Sequence, residues 1–483
     1  MVKFYVVIVP DEYITRLNES SGVNPRFMNK TDSMRRDEFF KIIDRASELQ
    51  VTDVHIEVKK NLATIGFREM GELYTRDTIP EDDAHEILQA AFAAAAQGSS
   101  ETTYQMHSMQ RAAIDPTSSL HRLPRTVVGL RLQYAPLMGN GRLLVIRVHY
   151  ADSKAENLTL EQLGYLPFQA EQIRDLCRLN EGLIVMSGPT GSGKTTTLAA
   201  VMSILRKMRP TKNLLSLEDP PEFVMHGVRQ IPVAAGESQA ERLEQMVVSM
   251  NGTLRLDPDI LLVGETKDGA SAKLLFEGAM SGHLMLTSLH ANDAISVLDR
   301  MLDLGVEKYK LRDSSLMVGT VGQLLVRSSN PKRLVDFETG IQRGYIPKQM
   351  IDLLGDNCGD HVENIQFIDT GDETSHYAVD DTKEPKENRL FSGREVIAEV
   401  VTTDKELLNV WHKDQKYGAF RYWKDELGGI ERYEHAIIKA LTGGIDPRVM
   451  QDRMGPLRNE HLIGFSKGKT ARFLNEQPRL QLA

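Results

Sequence analysis

Hydrophobic positions recur along this chain with two periods, and the places where the period changes mark its elements. Phe39 to Leu49 has helical spacing, whereas Val54-His55-Ile56-Glu57-Val58 and Ala63-Thr64-Ile65-Gly66-Phe67 alternate as half-buried strands do. Ile87 to Ala96 is Ala-rich and follows Glu81-Asp82-Asp83, which suits the acidic first turn of a helix. Two further strands, Val127 to Gln133 and Leu143 to Tyr150, flank the turn signal Met138-Gly139-Asn140-Gly141. Residues 37–150 therefore predict an α+β domain with an antiparallel sheet. The preceding 1–36 are an extension whose opening MVKFYVVIVP predicts an edge strand, because Pro10, Asp11 and Glu12 end the apolar run before it could be a signal core or a span.

Residues 151–159 are polar and predict a linker. From Leu160 to about Arg327 the order is helix, strand, glycine-rich turn, helix, strand, repeated, as in a parallel sheet covered by helices. The stretch 328–388 then accumulates Asp, Glu, Gly and Lys, as in GDNCGDHVEN, and predicts an acidic surface insertion or loop. After it, 389–483 opens with the strand pattern Arg394 to Val401, continues with helical patterns through Ala440 and ends in a basic, Gly-containing tail.

Composition narrows the class. A chain of 483 residues suggests about three domains. The 41% hydrophobic and 26% charged residues are those of a globular protein. A net charge of −9 supplies no global basic field for nucleic acid or anionic lipid. Cys177 and Cys358 stand far apart and outside any CxxC, which argues against a disulfide framework and a structural zinc, and for a reducing compartment. No segment is long and apolar enough to span a membrane, so work at a membrane would require partners.

The candidate chemistry sits at strand ends. The strand pattern Gly182 to Met186 runs into Ser187 and then Gly188-Pro189-Thr190-Gly191-Ser192-Gly193-Lys194-Thr195-Thr196, a P-loop with a helix pattern after it. The glycines allow a tight turn whose N–H groups face phosphates at a helix N-terminus; Lys194 adds a cation and the Thr195 hydroxyl can ligate Mg²⁺. A nucleoside triphosphate is the implied ligand. Asp259 to Glu265 is an apolar strand ending in a carboxylate, placing Glu265 to polarise an attacking water. Leu214 to Leu217 leads into Glu218-Asp219-Pro220-Pro221-Glu222, carboxylates that could hold Mg²⁺ or water or grip a neighbour's cation. His283 to Ser288 leads into Leu289-His290-Ala291-Asn292-Asp293, and parallel strands would bring these ends to one edge.

Together GPTGSGKTTT, LEDPPEF, LRLDPDILLVGETKD and SGHLMLTSLHANDA, in this order, resemble the type II/type IV secretion ATPase superfamily, with Thr52-Asp53-Val54-His55-Ile56-Glu57 upstream and Gly319 to Arg327 downstream also similar. The resemblance implies a RecA-like P-loop ATPase core, residues 160–327, preceded by the α+β domain and followed by a helical region. It implies ATP with Mg²⁺ held through Thr195, Glu218 and Glu265, Glu265 as general base, and Glu218 and Glu222 as supports. It makes His283 and His290 sensors of the γ-phosphate, and it brings Arg131 and Arg147 to the phosphates, with Arg142 a weaker candidate.

The wider expectations are a homohexamer that acts on an inner-membrane platform protein of a pilus, conjugation or secretion machine, cytoplasmic and held at the membrane by partners. The chain departs from the family at Lys267, where Arg is usual, at Leu324, where Arg commonly follows the Gln, in the insertion 328–388, and in lacking a tetracysteine module. A helicase-like nucleic-acid motor and a nucleotide-gated adaptor without turnover are the alternatives. The acidic balance argues against the first; Lys194 and Glu265 argue against the second.

Overall fold

A computed structural model describes residues 32–95, 103–114, 123–150, 158–219, 221–233, 239–346, 348–376, 379 and 384–458. The expected edge strand at the N-terminus, most of the 151–159 linker and the end of the basic tail, 459–483, lie outside the described residues, whereas the tail's first part forms the helix Pro447–Met454. The chain divides into two compact units, 1–152 and 153–483.

The first unit is an antiparallel sheet of six strands: β1 (Asp53–Lys59), β2 (Leu62–Glu69), β3 (Glu72–Pro80), β4 (Gln110–Ile114), β5 (Val127–Pro136) and β6 (Arg142–Tyr150), ordered β3-β2-β1-β6-β5-β4. Alternation makes one face apolar: Val54, Ile56 and Val58 of β1 pack with Leu144, Ile146 and Val148 of β6 beneath the helices Asp32–Leu49 and Glu81–Ala93, which contribute Phe39, Ile43, Ile87 and Phe92. Hence residues one register position along, Asp53 among them, lie on the opposite face. Gly139 and Asn140 take positive φ at the β5–β6 turn, the conformation that the Gly-Asn-Gly signal requires.

The second unit is built on a seven-stranded sheet. Its strands are β7 (Gly182–Ser187), β8 (Leu214–Glu218), β9 (Arg229–Pro232), β10 (Ile260–Val263), β11 (Leu284–Leu289), β12 (Met317–Ser329) and β15 (Phe391–Thr402), ordered β15-β12-β7-β11-β10-β8-β9. All neighbours pair in parallel except β12 with β15. β7, β10 and β11 are buried along their whole length, as sheet strands covered on both faces must be, and so carry continuous apolar runs. One layer of cover holds Leu198, Val201 and Met202 of the helix Lys194–Met208; the other holds Leu275 and Phe276 of the helix Gly269–Met280. β11 separates β7 from β10, so the histidine-bearing strand end lies between the P-loop and the strand end that carries Glu265.

The insertion corrects a sequence expectation. Residues 334–368 are not a solvated loop: they form a small pair, β13 (Leu334–Val335) with β14 (Phe367–Ile368), and the helices Phe337–Gln342 and Lys348–Cys358. Tyr345, Met350, Leu354, Cys358 and Phe367 share one core with Ile437, Leu441 and Ile445 from the helix Arg432–Ala440 and the turn after it. Asp446 and Arg448 fasten the same region. The Asp446 carboxylate accepts from the Ile368 amide at 2.8 Å and the Arg448 guanidinium donates to the Ile368 carbonyl at 2.7 Å.

Candidate active site

Four parallel strands end at one edge of the second sheet, and the candidate residues follow them there. Ser187 opposes Leu289 in the β7–β11 register, and Val263 opposes Thr287 and Leu217, so the P-loop, His290, Glu265 and Glu218 emerge side by side. The P-loop crown, Pro189, Thr190 and Gly191, is exposed, whereas Gly188, Ser192 and Lys194 are buried. Gly193 caps the helix Lys194–Met208 at φ 85°, and Gly191 has φ 74°, left-handed values that glycine adopts without strain. Successive N–H groups at a helix start with positive-φ glycines form the concavity that binds phosphate oxygens.

The loop's own carbonyls hold its lysine. The Lys194 ammonium donates to the carbonyls of Gly188 at 2.8 Å and Pro189 at 3.1 Å. Burial holds its pKa below the usual lysine value, opposed by the charges of Glu265 and Glu222, so both carboxylates act on this ammonium. The Ser192 hydroxyl, 1% exposed, has no hydrogen-bond partner among the described residues. A buried orphan hydroxyl inside a phosphate-shaped loop fits a site that is completed by an anionic ligand.

Glu265 is held from both sides. Its Oε1 lies 2.9 Å from His290 Nε2 and its Oε2 lies 2.7 Å from Lys267 Nζ, while His290 Nδ1 stands 3.2 Å from the Gly188 carbonyl. His290 thus bridges the P-loop and the carboxylate. Lys267, where the family pattern has Arg, still supplies the cation. Around them Ser288 Oγ donates to the Gly264 carbonyl at 2.6 Å, and the Thr266 and Thr287 hydroxyls meet at 2.7 Å, pinning the end of β10 to β11.

Glu218 is 5% exposed and accepts at Oε1 from Ser216 Oγ at 2.6 Å and Gln230 Nε2 at 3.0 Å. Burial pushes its pKa up, against those two bonds, and the nearby charge of Glu222 adds to the rise. Among the described residues no group of three His, Cys, Asp or Glu side chains is placed to hold a metal. Thr195 and Glu265 at the nucleotide edge do fit a Mg²⁺ that arrives with triphosphate, since that ion takes few protein ligands and completes its shell with phosphate and water.

Two sequence candidates land elsewhere. His283 precedes β11 at the end of the sheet opposite the P-loop: its Nδ1 lies 3.0 Å from the Gly278 carbonyl and 2.9 Å from Ser281 Oγ, and its own carbonyl accepts from Gly182 N. A six-residue strand separates it from His290, so the two histidines of one box cannot share a phosphate of this site. Arg142 opens β6, is 2% exposed and pairs with Glu81 and with His85 at 2.9 Å, a structural bond.

In the first unit Arg131 and Arg147 are direct register partners, and the row continues through Asp53 to Arg68 across four strands. Arg147 Nε donates to Asp53 Oδ1 at 3.0 Å and Arg68 Nε lies 3.8 Å from Asp53 Oδ2. Two guanidiniums thus flank one carboxylate on the face away from the helices, and Arg131 follows next in the row. Burial and then the charges of Arg131 and Arg147 push His149 down to about 4, so the imidazole beside the row is neutral.

Tyr165 and Gln323, outside the site residues that the sequence singles out, also stand at the loop. Tyr165 donates to Gln323 Oε1 at 2.7 Å, and Gln323 Nε2 donates to the Ser192 carbonyl at 2.8 Å. Nothing in local pattern could have paired residues 158 positions apart.

Comparison with known proteins bears on the fold and the family. The fold matches the ATPase DotB of Legionella pneumophila over 89% of this chain and 98% of that one, with a TM-score of 0.58 and 16% identity. The type II secretion system protein HxcR of Pseudomonas aeruginosa is 33% identical over 288 residues, 59% of this chain and 56% of that protein. The type IV pilus assembly ATPase PilB of Thermus thermophilus is 30% identical over 303 residues, 61% of this chain and 31% of that protein. The chain thus spans about half the length of HxcR and less of PilB. The family model described as type II/IV secretion system protein matches residues 30–443, and the chain, a P-loop ATPase fold with an α+β N-terminal domain, belongs to that family.

Proposed function

We propose that this protein hydrolyses ATP and uses the cycle to drive a pilus or secretion machine. The observation that carries the reading is His290, bonded at once to the P-loop carbonyl of Gly188 and to Glu265, which sets a carboxylate base beside the nucleotide loop.

ATP would bind with its β- and γ-phosphates against the N–H groups of residues 191–195. Lys194 then exchanges the Gly188 and Pro189 carbonyls for phosphate oxygens. Mg²⁺, held by Thr195 and Glu265, with Glu218 and Glu222 as supports behind them, would neutralise phosphate charge. Glu265 orients the attacking water and accepts its proton as the water oxygen bonds to the γ-phosphorus and the bridge to the β-phosphate breaks, leaving ADP and inorganic phosphate. That step requires Glu265 to release one of its present partners. His290, touching both the loop and the base, is the group whose release would report the γ-phosphate. Arg131 and Arg147 are proposed to stabilise the transferring phosphoryl group from the first unit.

At the level of the assembly, the reading is a homohexamer at the cytoplasmic face of an inner membrane, moving a platform protein by closure of one unit on the other. Glu265→Gln tests it: nucleotide should still bind, phosphate release should fall by about 10²–10⁴ fold, and membrane partners of a pilus or secretion system should co-purify from native cells. Recovery of nucleic acid with DNA-stimulated turnover would favour the helicase-like motor, and no phosphate release by the unaltered chain would favour the adaptor.

A further inference from the structure

Tyr165 lies in the turn after the short helix Leu160–Leu163, outside every motif, and is 1% exposed. Its hydroxyl donates to Gln323 Oε1 at 2.7 Å and stands 3.4 Å from Thr197 Oγ1 in the first turns of the P-loop helix. Gln323 is 0% exposed on β12. Its Nε2 donates to the Ser192 carbonyl at 2.8 Å and lies 3.3 Å from the position of a Cβ on Gly193, while its own carbonyl would overlap a Cβ on Gly188. One glutamine therefore touches both ends of the loop. Its amide orientation follows from its partners: Oε1 takes the hydroxyl proton, and only Nε2 can donate to a carbonyl.

The consequence runs through the peptide plane. The Ser192 carbonyl and the Gly193 N–H belong to one rigid peptide unit and point in opposite directions. Gly193 has φ 85° and could rotate that unit more freely than any other residue type. We propose that Tyr165 and Gln323 are positioning residues for nucleotide binding: by anchoring the Ser192 carbonyl they hold the Gly193 N–H toward the bound phosphates. Both side chains act on the loop rather than on the ligand, and Tyr165 acts chiefly through Gln323.

This inference rests on the nucleotide-binding part of the proposed function, and the test separates the two. The dissociation constant of a methylanthraniloyl-labelled ADP would be measured for the full chain, Tyr165→Phe, Gln323→Leu and the double variant, with ATP turnover at saturation and the melting temperature alongside. Gln323→Leu should weaken binding by about tenfold and Tyr165→Phe by about threefold, losses of the size expected for single hydrogen bonds. The double variant should bind no more weakly than Gln323→Leu, because the other Tyr165 contact, 3.4 Å to Thr197 Oγ1, is long and weak. Turnover at saturation should stay within about twofold, since the chemistry of Glu265 is untouched.

Tyr165→Phe removes one oxygen from the fold and keeps the test open if the glutamine variant does not fold. Unchanged dissociation constants in the folded variants, or losses that multiply in the double variant, would overturn the brace. If the unaltered chain fails to bind labelled ADP, the nucleotide reading itself falls.

Discussion

Glu265, the proposed base, has both oxygens paired in the present arrangement, and its two partners differ in kind. His290 also contacts the Gly188 carbonyl, so its bond can exchange when phosphate arrives; Lys267 is more exposed and contacts the carboxylate alone among the bonds described. Lys267 is thus the steadying partner, and Lys267→Ala should leave nucleotide affinity within about twofold while lowering turnover at saturation by about tenfold, less than the loss of the base itself. Lys267→Arg should retain most of the activity, since the guanidinium also supplies a cation. Equal turnover in Lys267→Ala and the unaltered chain would show that His290 alone orients the carboxylate. At this scale the P-loop and the terminal position of Glu265 were legible in the sequence, because backbone phosphate binding demands glycine, lysine and a strand–helix junction in contiguous residues. Tyr165, Gln323 and the misplaced His283 were not. Their places depend on which strands are neighbours and on where a strand begins, and the chain's own order carries neither.

The elements repeat that division. Strands with alternating or continuous apolar patterns were readable, but β3, with the mixed run ELYTRDTIP, and β4, five residues long, were not, since edge strands need little apolar pattern. The insertion misled for a related reason: its Tyr345, Met350, Leu354 and Phe367 are spread among polar residues and find their partners in helices that come later in the chain. His435 shows how such late elements are tied in. Ala398 N of β15 donates to His435 Nδ1 at 3.0 Å, and the Gly164 carbonyl lies 3.2 Å from Nε2, which makes Nε2 the protonated nitrogen.

Burial first, and the charge of Lys439 second, push this histidine down to about 3. Its folded pKa lies below the unfolded value of about 6.5, so the stability it supports is fully present above pH 6.5 and is lost as pH falls toward 3. The loss is about 1.4 kcal/mol per pH unit, or about 2 kcal/mol by pH 5. Urea unfolding of the second unit at pH 7.5 and 5 should therefore show a drop that His435→Asn, itself less stable, shows by about 2 kcal/mol less. The same pH drop in both proteins would mean that His435 is accessible to protons in the folded state.

On the scale of the whole molecule, the proposed chemistry draws on both compact units. Lys194, Glu265, His290, Gln323 and Tyr165 belong to 153–483, whereas the row Arg68, Asp53, Arg147 and Arg131 belongs to 1–152. Binding and turnover should therefore separate when the chain is cut. A fragment of residues 153–483 should bind labelled ADP within about threefold of the full chain, because the loop, its lysine and its brace are all present. Its ATP turnover should fall by about 10³ fold or more if the first unit supplies the arginine that stabilises the phosphoryl group.

Arg147→Ala in the full chain should reproduce most of that loss with the fold intact, which distinguishes a missing guanidinium from a damaged fragment. Asp53 makes the argument sharper. It holds Arg147 at 3.0 Å, so an arginine that serves phosphate must leave a carboxylate to do so. Asp53→Asn weakens that hold and should lower the KM for ATP or raise turnover in the full chain, and it should have no effect once Arg147 is Ala. A fragment that turns over ATP at the rate of the full chain would place the whole reaction within one unit and leave the arginine row to some other task.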